Sequence, residues 1–317
     1  TMRQTKKCRS VSVRTTTTPA SPWIAGSAVF VFHQTGRFDP TVVLDCLSKY
    51  PITSLCAPPT VYRFLVQQDL HSFEPPTLQR CSAAGEPLNA TVLERWRAAT
   101  GITIREGYGQ TETVVLCANI PDLPVKPGSM GLPPPGIHLA VVDDQRRPLP
   151  VGEPGEIAVR IEPQRPIGLF REYWHADDAT ARCFRDGWYL TGDCARVDKD
   201  GYFWFVARSD DIITSAAYRI GPFEVEDALM QHPAVAEVAV VGKPDVERTE
   251  IVTAFVVLAK GYSPNDELRR ELQNHSKRVT APYKYPREIE FLEDLPKTAS
   301  GKIRRSVLRD KAKATSS

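Results

Sequence analysis

The sequence predicts an α/β protein in which a mostly parallel sheet gives way to a β-hairpin region and then to a small α+β domain. Three observations carry that expectation. Between residues 39 and 100, short apolar runs alternate with helical apolar spacing at boundaries marked by Pro and Asn. After Pro133-Pro134-Pro135 the texture changes to alternating, strand-like runs around an Asp-Gly turn. From about Asp211 a helix, two apolar strands and a second helix follow one another. At 317 residues the chain has room for two domains.

Asp39 offers an N-cap and Pro40 a first helical position, after which Val43, Leu44 and Leu47 fall on one face. "ITSLCAPPTVYRFL" reads as a buried strand, a proline turn and a helix carrying Val61, Phe64 and Leu65. "LQRCSAAGEPL" runs from strand to loop, and Asn89 then opens a helix with Leu93 and Trp96 inside. "GEIAVRI" alternates as a half-buried strand. "GWYLTGDCARVDKDGYFWFVAR" forms a hairpin about Asp200-Gly201, with Trp188, Tyr202, Phe203, Trp204 and Phe205 in its core. Beyond it a helix opens at Pro222 with Val225 and Leu229 inside, and "AVAEVAVVG" and "IVTAFVVLA" are strands. A helix from about Asn265 buries Leu268, Leu272 and Val279, and "REIEFL" is a last strand.

Composition narrows the function. Forty basic residues against 38 acidic ones leave a formal charge of +2, so nucleic acid is not expected as the main partner. No uncharged run approaches the roughly 18 residues of a membrane span, so no integral membrane segment is expected. The seven cysteines lack CxxC spacing and read as reduced thiols of an intracellular compartment. Residues 1–21 are basic, threonine-rich and without apolar periodicity; a transit peptide is one reading, and an unstructured or artefactual leader is the preferred one.

Four short stretches carry chemistry. "REGYGQTETV" sets glycines on both sides of Tyr108, then supplies Gln110, Thr111 and Glu112. Small residues admit a ligand close to the backbone, a Thr hydroxyl can donate to phosphate, and a Glu carboxylate can hold Mg²⁺. Alone, the stretch reads equally well as a polar turn after a strand. "YLTGD" ends on Asp193, a carboxylate suited to accept from ribose hydroxyls. "ARSDDIITSAAYRIGPFEVE" places Arg208 and Asp210 at a domain junction and Arg219 just before a Pro-led helix. "LPKTASGKIRR" holds a Gly-Lys pair without the spacing of a phosphate-binding loop. The six histidines show no metal-ligand spacing, and Cys194 reads as a packed thiol.

Together, and in this order, the four stretches resemble the adenylate-forming superfamily of acyl-CoA synthetases, luciferases and peptide-synthetase adenylation domains. The likeness extends through "KPGSMG", "GEPL" and "TAPYKYPREIEF". With "YRFLVQQDL" and "RPIGLF", it is most similar to the mitochondrial medium-chain acyl-CoA synthetases of butyrate–CoA ligase type, over about Pro22 to Lys311. The resemblance implies that residues 22–209 are the C-terminal part of a large AMP-binding domain and residues 210–317 a small lid hinged at Asp210. It also implies a mitochondrial matrix location and two chemical steps. A small carboxylic acid attacks the α-phosphate of Mg-ATP to give acyl-adenylate and pyrophosphate; coenzyme A then displaces AMP.

Residue roles follow from the same resemblance. Gly85, Glu86 and Pro87 line the adenine pocket. Glu106, Gly107, Tyr108, Gly109, Gln110 and Thr111 form the nucleotide loop, with Thr111 near the α-phosphate and acyl carboxylate and Glu112 the magnesium ligand. Asp193 and Arg208 hold the ribose hydroxyls. Ala216, Ala217 and Tyr218 contact CoA, Arg219 lies beside acyl-adenylate and CoA, and Arg248 and Lys277 are basic positions near the CoA nucleotide. Lys302 is the adenylation lysine, catalytic with Thr111 and Glu112.

Two departures qualify the likeness. The Ser/Thr/Gly-rich phosphate loop with a lysine is not found upstream, where "TTTTPASP" lacks both glycine and lysine. The expectation is therefore an N-terminally incomplete copy, with a catalytically silent nucleotide- or CoA-binding or interaction module as the alternative. "SAAYRIG" also has Ala217 where a glycine usually lets the pantetheine arm pass, and Ala216 in place of a hydroxyl.

Overall fold

The computed structural model describes residues 9–12, 26–32, 38–121, 123–216, 218–298 and 302–314. They fall into two compact units, 1–135 and 136–317, parted at the proline run where the sequence texture changes.

The first unit is a six-stranded sheet in the order β2-β1-β3-β4-β5-β6. Its strands are β1 (Arg9–Ser12), β2 (Ala28–Phe30), β3 (Ser54–Ala57), β4 (Arg80–Ala84), β5 (Ile104–Gly109) and β6 (Val115–Ala118). β1 to β5 run parallel, and β6 returns antiparallel to β5. The strand β1 lies inside the segment expected to be an unstructured leader. That expectation is corrected for these four residues: they pair with β2 on one side and β3 on the other, a long-range pairing that local periodicity does not reveal. The rest of 1–21 lies outside the described residues.

Helices α1 (Pro40–Lys49), α2 (Pro59–Leu65) and α3 (Ala90–Thr100) connect the strands. The Asp39 carboxylate accepts from the Thr41 amide at 2.9 Å, and Val43, Leu44 and Leu47 are buried, as the capping and spacing require. Val61 and Leu65 of α2 are buried, with Phe64 only partly so. Trp96 of α3 is fully buried with its ring 5.5 Å from that of Tyr62, edge on. The Tyr62 hydroxyl reaches the carbonyls of Leu55 and Ser82 at 3.3 and 3.2 Å, tying the helix layer to β3 and β4.

The second unit contains two sheets. One has the order β11-β10-β8-β7, from β7 (Leu139–Val142), β8 (Gly155–Arg160), β10 (Trp188–Val197) and β11 (Phe203–Arg208). The short β9 (Phe184–Arg185), which follows α4 (Asp177–Cys183), pairs with β10. Trp188, Tyr202 and Phe203 are buried in the hairpin core, but Trp204 and Phe205 are only half buried. Trp204 spends its indole N–H on the Asp198 carboxylate at 3.1 Å, at the turn, so it cannot be wholly core.

The other sheet has the order β13-β12-β15-β14, with β16 parallel to β15. It is built from β12 (Ile213–Ser215), β13 (Tyr218–Ile220), β14 (Val235–Asp245), β15 (Thr249–Leu258) and β16 (Glu288–Phe291). Helices α5 (Pro222–Met230), α6 (Asp266–Val279) and α7 (Arg305–Ala314) complete the unit. Asn265 caps α6 by accepting from the Leu268 amide at 2.7 Å. Leu268 and Leu272 are buried with Val225 and Leu229. Val279, expected inside, is 44% exposed because it is the last residue of the helix, where the chain leaves the packed face. Arg309 of α7 pairs with Asp211 and reaches the Asp210 carbonyl at 3.5 Å.

Two histidines join α5 to α6. His232 Nδ1 accepts from the Ala234 amide at 3.2 Å, so its Nε2 carries the proton toward Glu271, 3.1 Å away. His275 Nε2 donates to the Ala228 carbonyl at 3.0 Å, and the rings lie 5.2 Å apart. Burial pushes the His275 pKa down, and the neighbouring His232 and Arg278 add to it. A histidine that is harder to protonate when folded binds its proton more readily in the unfolded chain. Stability is therefore lost as pH falls through the ordinary histidine range near 6.5, toward the lowered folded value. Thermal unfolding of wild type and His275→Gln between pH 7.5 and 5 should show a shallower acid loss in the variant.

Candidate active site

The first cluster stands at the carboxyl ends of two neighbouring parallel strands. β4 ends at Ala84 and opens into Gly85-Glu86-Pro87, while β5 carries Glu106 to Gly109 as its last residues, with Ala83 opposite Glu106 and Ala84 opposite Gly107. The polar turn expected after a strand thus begins within the strand. Glu106 is buried and accepts from the Leu88 amide at 3.1 Å, joining the two segments. Glu86 is fixed from α2: the Thr60 hydroxyl donates to it at 3.0 Å, and Arg63 lies 3.4 Å from it and 3.2 Å from the Pro87 carbonyl.

Gln110 to Thr113 then form a tight turn into β6. The Gln110 amide donates to Thr113 Oγ1 at 2.9 Å, and the Thr113 amide to the Gln110 carbonyl at 3.1 Å. This closure presents Thr111 exposed and Glu112 half exposed at the loop tip. Gly109 is demanded by close approach, since a Cβ there would lie 2.4 Å from the Val114 carbonyl oxygen.

In the second unit, Asp193 and Arg208 sit directly opposite one another on β10 and β11. The pairing of β10 with β8 breaks between Leu190 and Cys194, so the TGD stretch is an irregularity in the strand, and the pairing with β11 shifts just after it, between Cys194 and Ala195. Gly192 adopts φ 71°, and its amide donates to Glu156 at 2.9 Å. Asp193 is 7% exposed. Burial disfavours the charge on Arg208, but Asp193 and Asp210 outweigh it and hold the guanidinium above its ordinary pKa; Arg208 Nε donates to Asp210 at 3.3 Å. Burial, with the adjacent Asp193 charge, raises the Glu156 carboxyl. Cys194 is buried against the Ser209 hydroxyl at 3.5 Å and its thiol is pushed up by burial, as befits a packed thiol.

The third cluster is the β12–β13 hairpin. Ser215 pairs across to Thr249, and the Ala216 amide donates to the Arg248 carbonyl at 2.8 Å, which brings Ala216 and Arg248 together at one end of the sheet, with Tyr218 and Arg219 opposite Ser215 and Thr214 on β13. Ala216 takes φ 54°, so the left-handed position of this turn falls on it; Ala217 lies outside the described residues. Tyr218 is 49% exposed and stacks on Tyr283, with ring centroids 4.0 Å apart. Lys277, exposed on α6, places its ammonium 4.1 Å from the Tyr285 ring. Replacing Ala216 by Gly relieves about 1–2 kcal/mol of left-handed strain and adds back about 0.4–1 kcal/mol of unfolded-chain entropy. A net gain of roughly 0.5 kcal/mol should appear in denaturant unfolding.

Lys302 is exposed opposite Thr298, just inside the antiparallel bridge between Lys297 and Ile303; residues 299–301 lie outside the described residues. Its amide donates to Thr298 Oγ1 at 3.1 Å, and its carbonyl accepts from the Thr298 amide at 2.8 Å.

Comparison with known proteins gives these clusters a context. The AMP-binding enzyme family matches residues 13–174, just over half of the chain, and the AMP-binding enzyme C-terminal domain matches residues 224–302. The chain belongs to the AMP-binding enzyme family. Within that family it is 52% identical over 293 residues to the mitochondrial acyl-coenzyme A synthetase ACSM3 of Mus musculus. The match takes in 92% of this chain and 50% of that protein, so the chain spans about half the length of this relative. Among solved structures it is similar to the anthranilate CoA ligase AuaEII in complex with anthranoyl-AMP, with a TM-score of 0.89 and 34% identity, covering 98% of this chain and 61% of that one. It is also similar to ATP-bound MatB from Rhodopseudomonas palustris, with a TM-score of 0.85 and 28% identity over 98% of this chain and 61% of that one.

Several residues that brace these clusters in this member of the AMP-binding enzyme family have no motif in the sequence. Thr60 and Arg63 hold Glu86, Thr113 closes the loop below Thr111, and Glu156 anchors Gly192. Only Thr113 had a local signal, as the third residue after Gln110 in a polar turn. The others act across 23 to 36 residues of sequence, beyond any periodic pattern.

Proposed function

We propose that this chain activates a medium-chain carboxylic acid as its acyl-adenylate with ATP and passes the acyl group to coenzyme A. The observation that carries the reading is the meeting of Gly85–Pro87 and Glu106–Glu112 at the carboxyl ends of β4 and β5, where open α/β sheets bind their ligands. The likeness to the mitochondrial acyl-coenzyme A synthetase supports the acid–thiol chemistry and a mitochondrial address, which we place in the matrix.

On this reading residues 22–209 belong to the large domain and 210–317 to a lid hinged at Asp210. Glycines 85, 107 and 109 and Tyr108 accept the adenine, with Glu86, Pro87, Glu106 and Gln110 shaping its loop. Asp193 accepts from the ribose hydroxyls and Arg208 donates to them. The exposed Thr111 hydroxyl donates to the α-phosphate and orients the acyl carboxylate. Among the described residues no group of three or more His, Cys, Asp and Glu side chains is placed to hold a metal. A single carboxylate suits Mg²⁺, which keeps water and phosphate oxygens, so Glu112 fits that role. Mg²⁺ supplies neutralisation of phosphate charge.

In the first step the carboxylate oxygen bonds to the α-phosphorus as the bond to pyrophosphate breaks. Lys302 places an ammonium where negative charge builds up, favouring the transition state over the ground state. In the second, the CoA sulfur bonds to the acyl carbon and AMP leaves with the electron pair. Ala216, Ala217 and Tyr218 line the thiol path, Arg219 faces the acyl-adenylate, and Arg248 and Lys277 face the CoA nucleotide. A second reading rests on the sequence of this turn: Ala217 adds a methyl group where a glycine usually lets the pantetheine arm pass, and Ala216 lacks a hydroxyl, so adenylation runs ahead of thioester formation.

Pyrophosphate exchange with butyrate or hexanoate, followed by assay for the acyl-CoA product, tests both. Exchange with product supports the ligase, and exchange with little product supports the second reading. Neither signal in folded protein overturns both in favour of a silent homologue.

A further inference from the structure

The stretch Lys297 to Arg305 carries four cations, and the fold treats them in two ways. Lys302 and Arg304 are exposed, whereas Lys297 and Arg305 turn inward onto carboxylates. Lys297 Nζ lies 2.7 Å from Glu237 and 3.0 Å from Asp294, with side chains of Lys297 and Glu237 only 20% and 19% exposed. Arg305 Nη2 lies 2.6 and 2.8 Å from the two oxygens of Glu226, which is buried and also accepts from the Val240 amide at 2.8 Å. Glu237 and Val240 both belong to β14, so the two feet of the hairpin are referred to one strand. Between the feet, Lys297 bridges Ile303 and the Arg304 amide donates to the Pro296 carbonyl at 2.8 Å.

We infer that the Lys297–Glu237 and Arg305–Glu226 pairs are positioning pairs that fix the hairpin from which Lys302 reaches its substrate. Lysine has four rotatable bonds, so an exposed ammonium is aimed chiefly by where its backbone is held. Burial lowers the Lys297 ammonium, but Glu237 and Asp294 outweigh it and raise its pKa, so the charge of this foot persists through neutral pH. The role assigned to Lys302 rests on the function proposed above; the anchoring does not.

The test uses the full chain with Lys297→Gln, Glu237→Gln and the swapped pair Lys297→Glu with Glu237→Lys. Amide exchange at Thr298 and Lys302, pyrophosphate exchange, and thioester formation from supplied acyl-adenylate are measured beside thermal unfolding. The single variants should exchange those two amides about tenfold faster and lose about tenfold in the kcat of pyrophosphate exchange, with KM for ATP within about twofold. Thioester formation from supplied acyl-adenylate should stay within about twofold, and the swap should restore part of the loss. Unchanged protection of both amides overturns the inference, as does a parallel fall of both half-reactions that tracks the folded fraction. If wild type exchanges no pyrophosphate, the proposed function fails, and the amide measurement alone decides the anchoring.

Discussion

Lys302→Ala should lower acyl-adenylate formation by about 10²–10³-fold, the range for removing one donor aimed at developing oxyanion charge. The side chain is exposed, and the hairpin contacts of this residue come from its backbone, so the fold does not depend on the ammonium. Unfolding free energy should therefore move by no more than about 0.5 kcal/mol. Pyrophosphate exchange should collapse while thioester formation from supplied acyl-adenylate stays nearly intact. Arg304→Ala supplies the control, because it removes an exposed cation two residues away whose amide holds the hairpin regardless of side chain. Equal loss of both half-reactions in Lys302→Ala would count against a cation used in only one of them.

Gly109→Ala should be the more damaging change to the loop between β5 and β6. The added methyl carbon would sit 2.4 Å from the Val114 carbonyl oxygen and 3.2 Å from Val115 Cα, both backbone atoms that cannot swing aside. Relief requires β5 and β6 to part, which breaks the Gly109–Val115 register and shifts the Gln110–Thr113 turn presenting Thr111 and Glu112. An overpacked contact of this kind costs about 1–3 kcal/mol. Denaturant unfolding should report that loss, and pyrophosphate exchange should fall further than the folded fraction explains. Gly107→Ala is the comparison: its Cβ would meet only ordinary contacts at 3.7 Å or more. Equal behaviour of the two variants would show that the close approach is not what the loop needs.

Much of the fold could be read locally, because its elements announce themselves within a few residues. Asp39-Pro40, Asn265 with Leu268, and Asp200-Gly201 each place a cap or turn where the chemistry of one side chain decides it. What was hidden depends on distant partners. The strand β1 has no periodicity of its own and exists through β2 and β3. Helix α4 buries none of its residues and so leaves no apolar stripe to find. The turn at Ala216 carries no glycine signal, and is closed by a carbonyl 32 residues later, that of Arg248. At the candidate site, the residues proposed to meet ligand have short motifs, whereas those bracing them, such as Arg63 and Glu156, share none with their partners.

The pairing of Arg309 with Asp211 has a topological consequence. The segment from Asp210 to α7 leaves and returns to one place, so an ion pair closes into a ring what the backbone leaves open. Which peptide bond is missing from such a ring matters little to its packing. A break at the exposed Gly261 falls between β15 and α6, so it would cut through no strand pairing of the β12–β16 sheet.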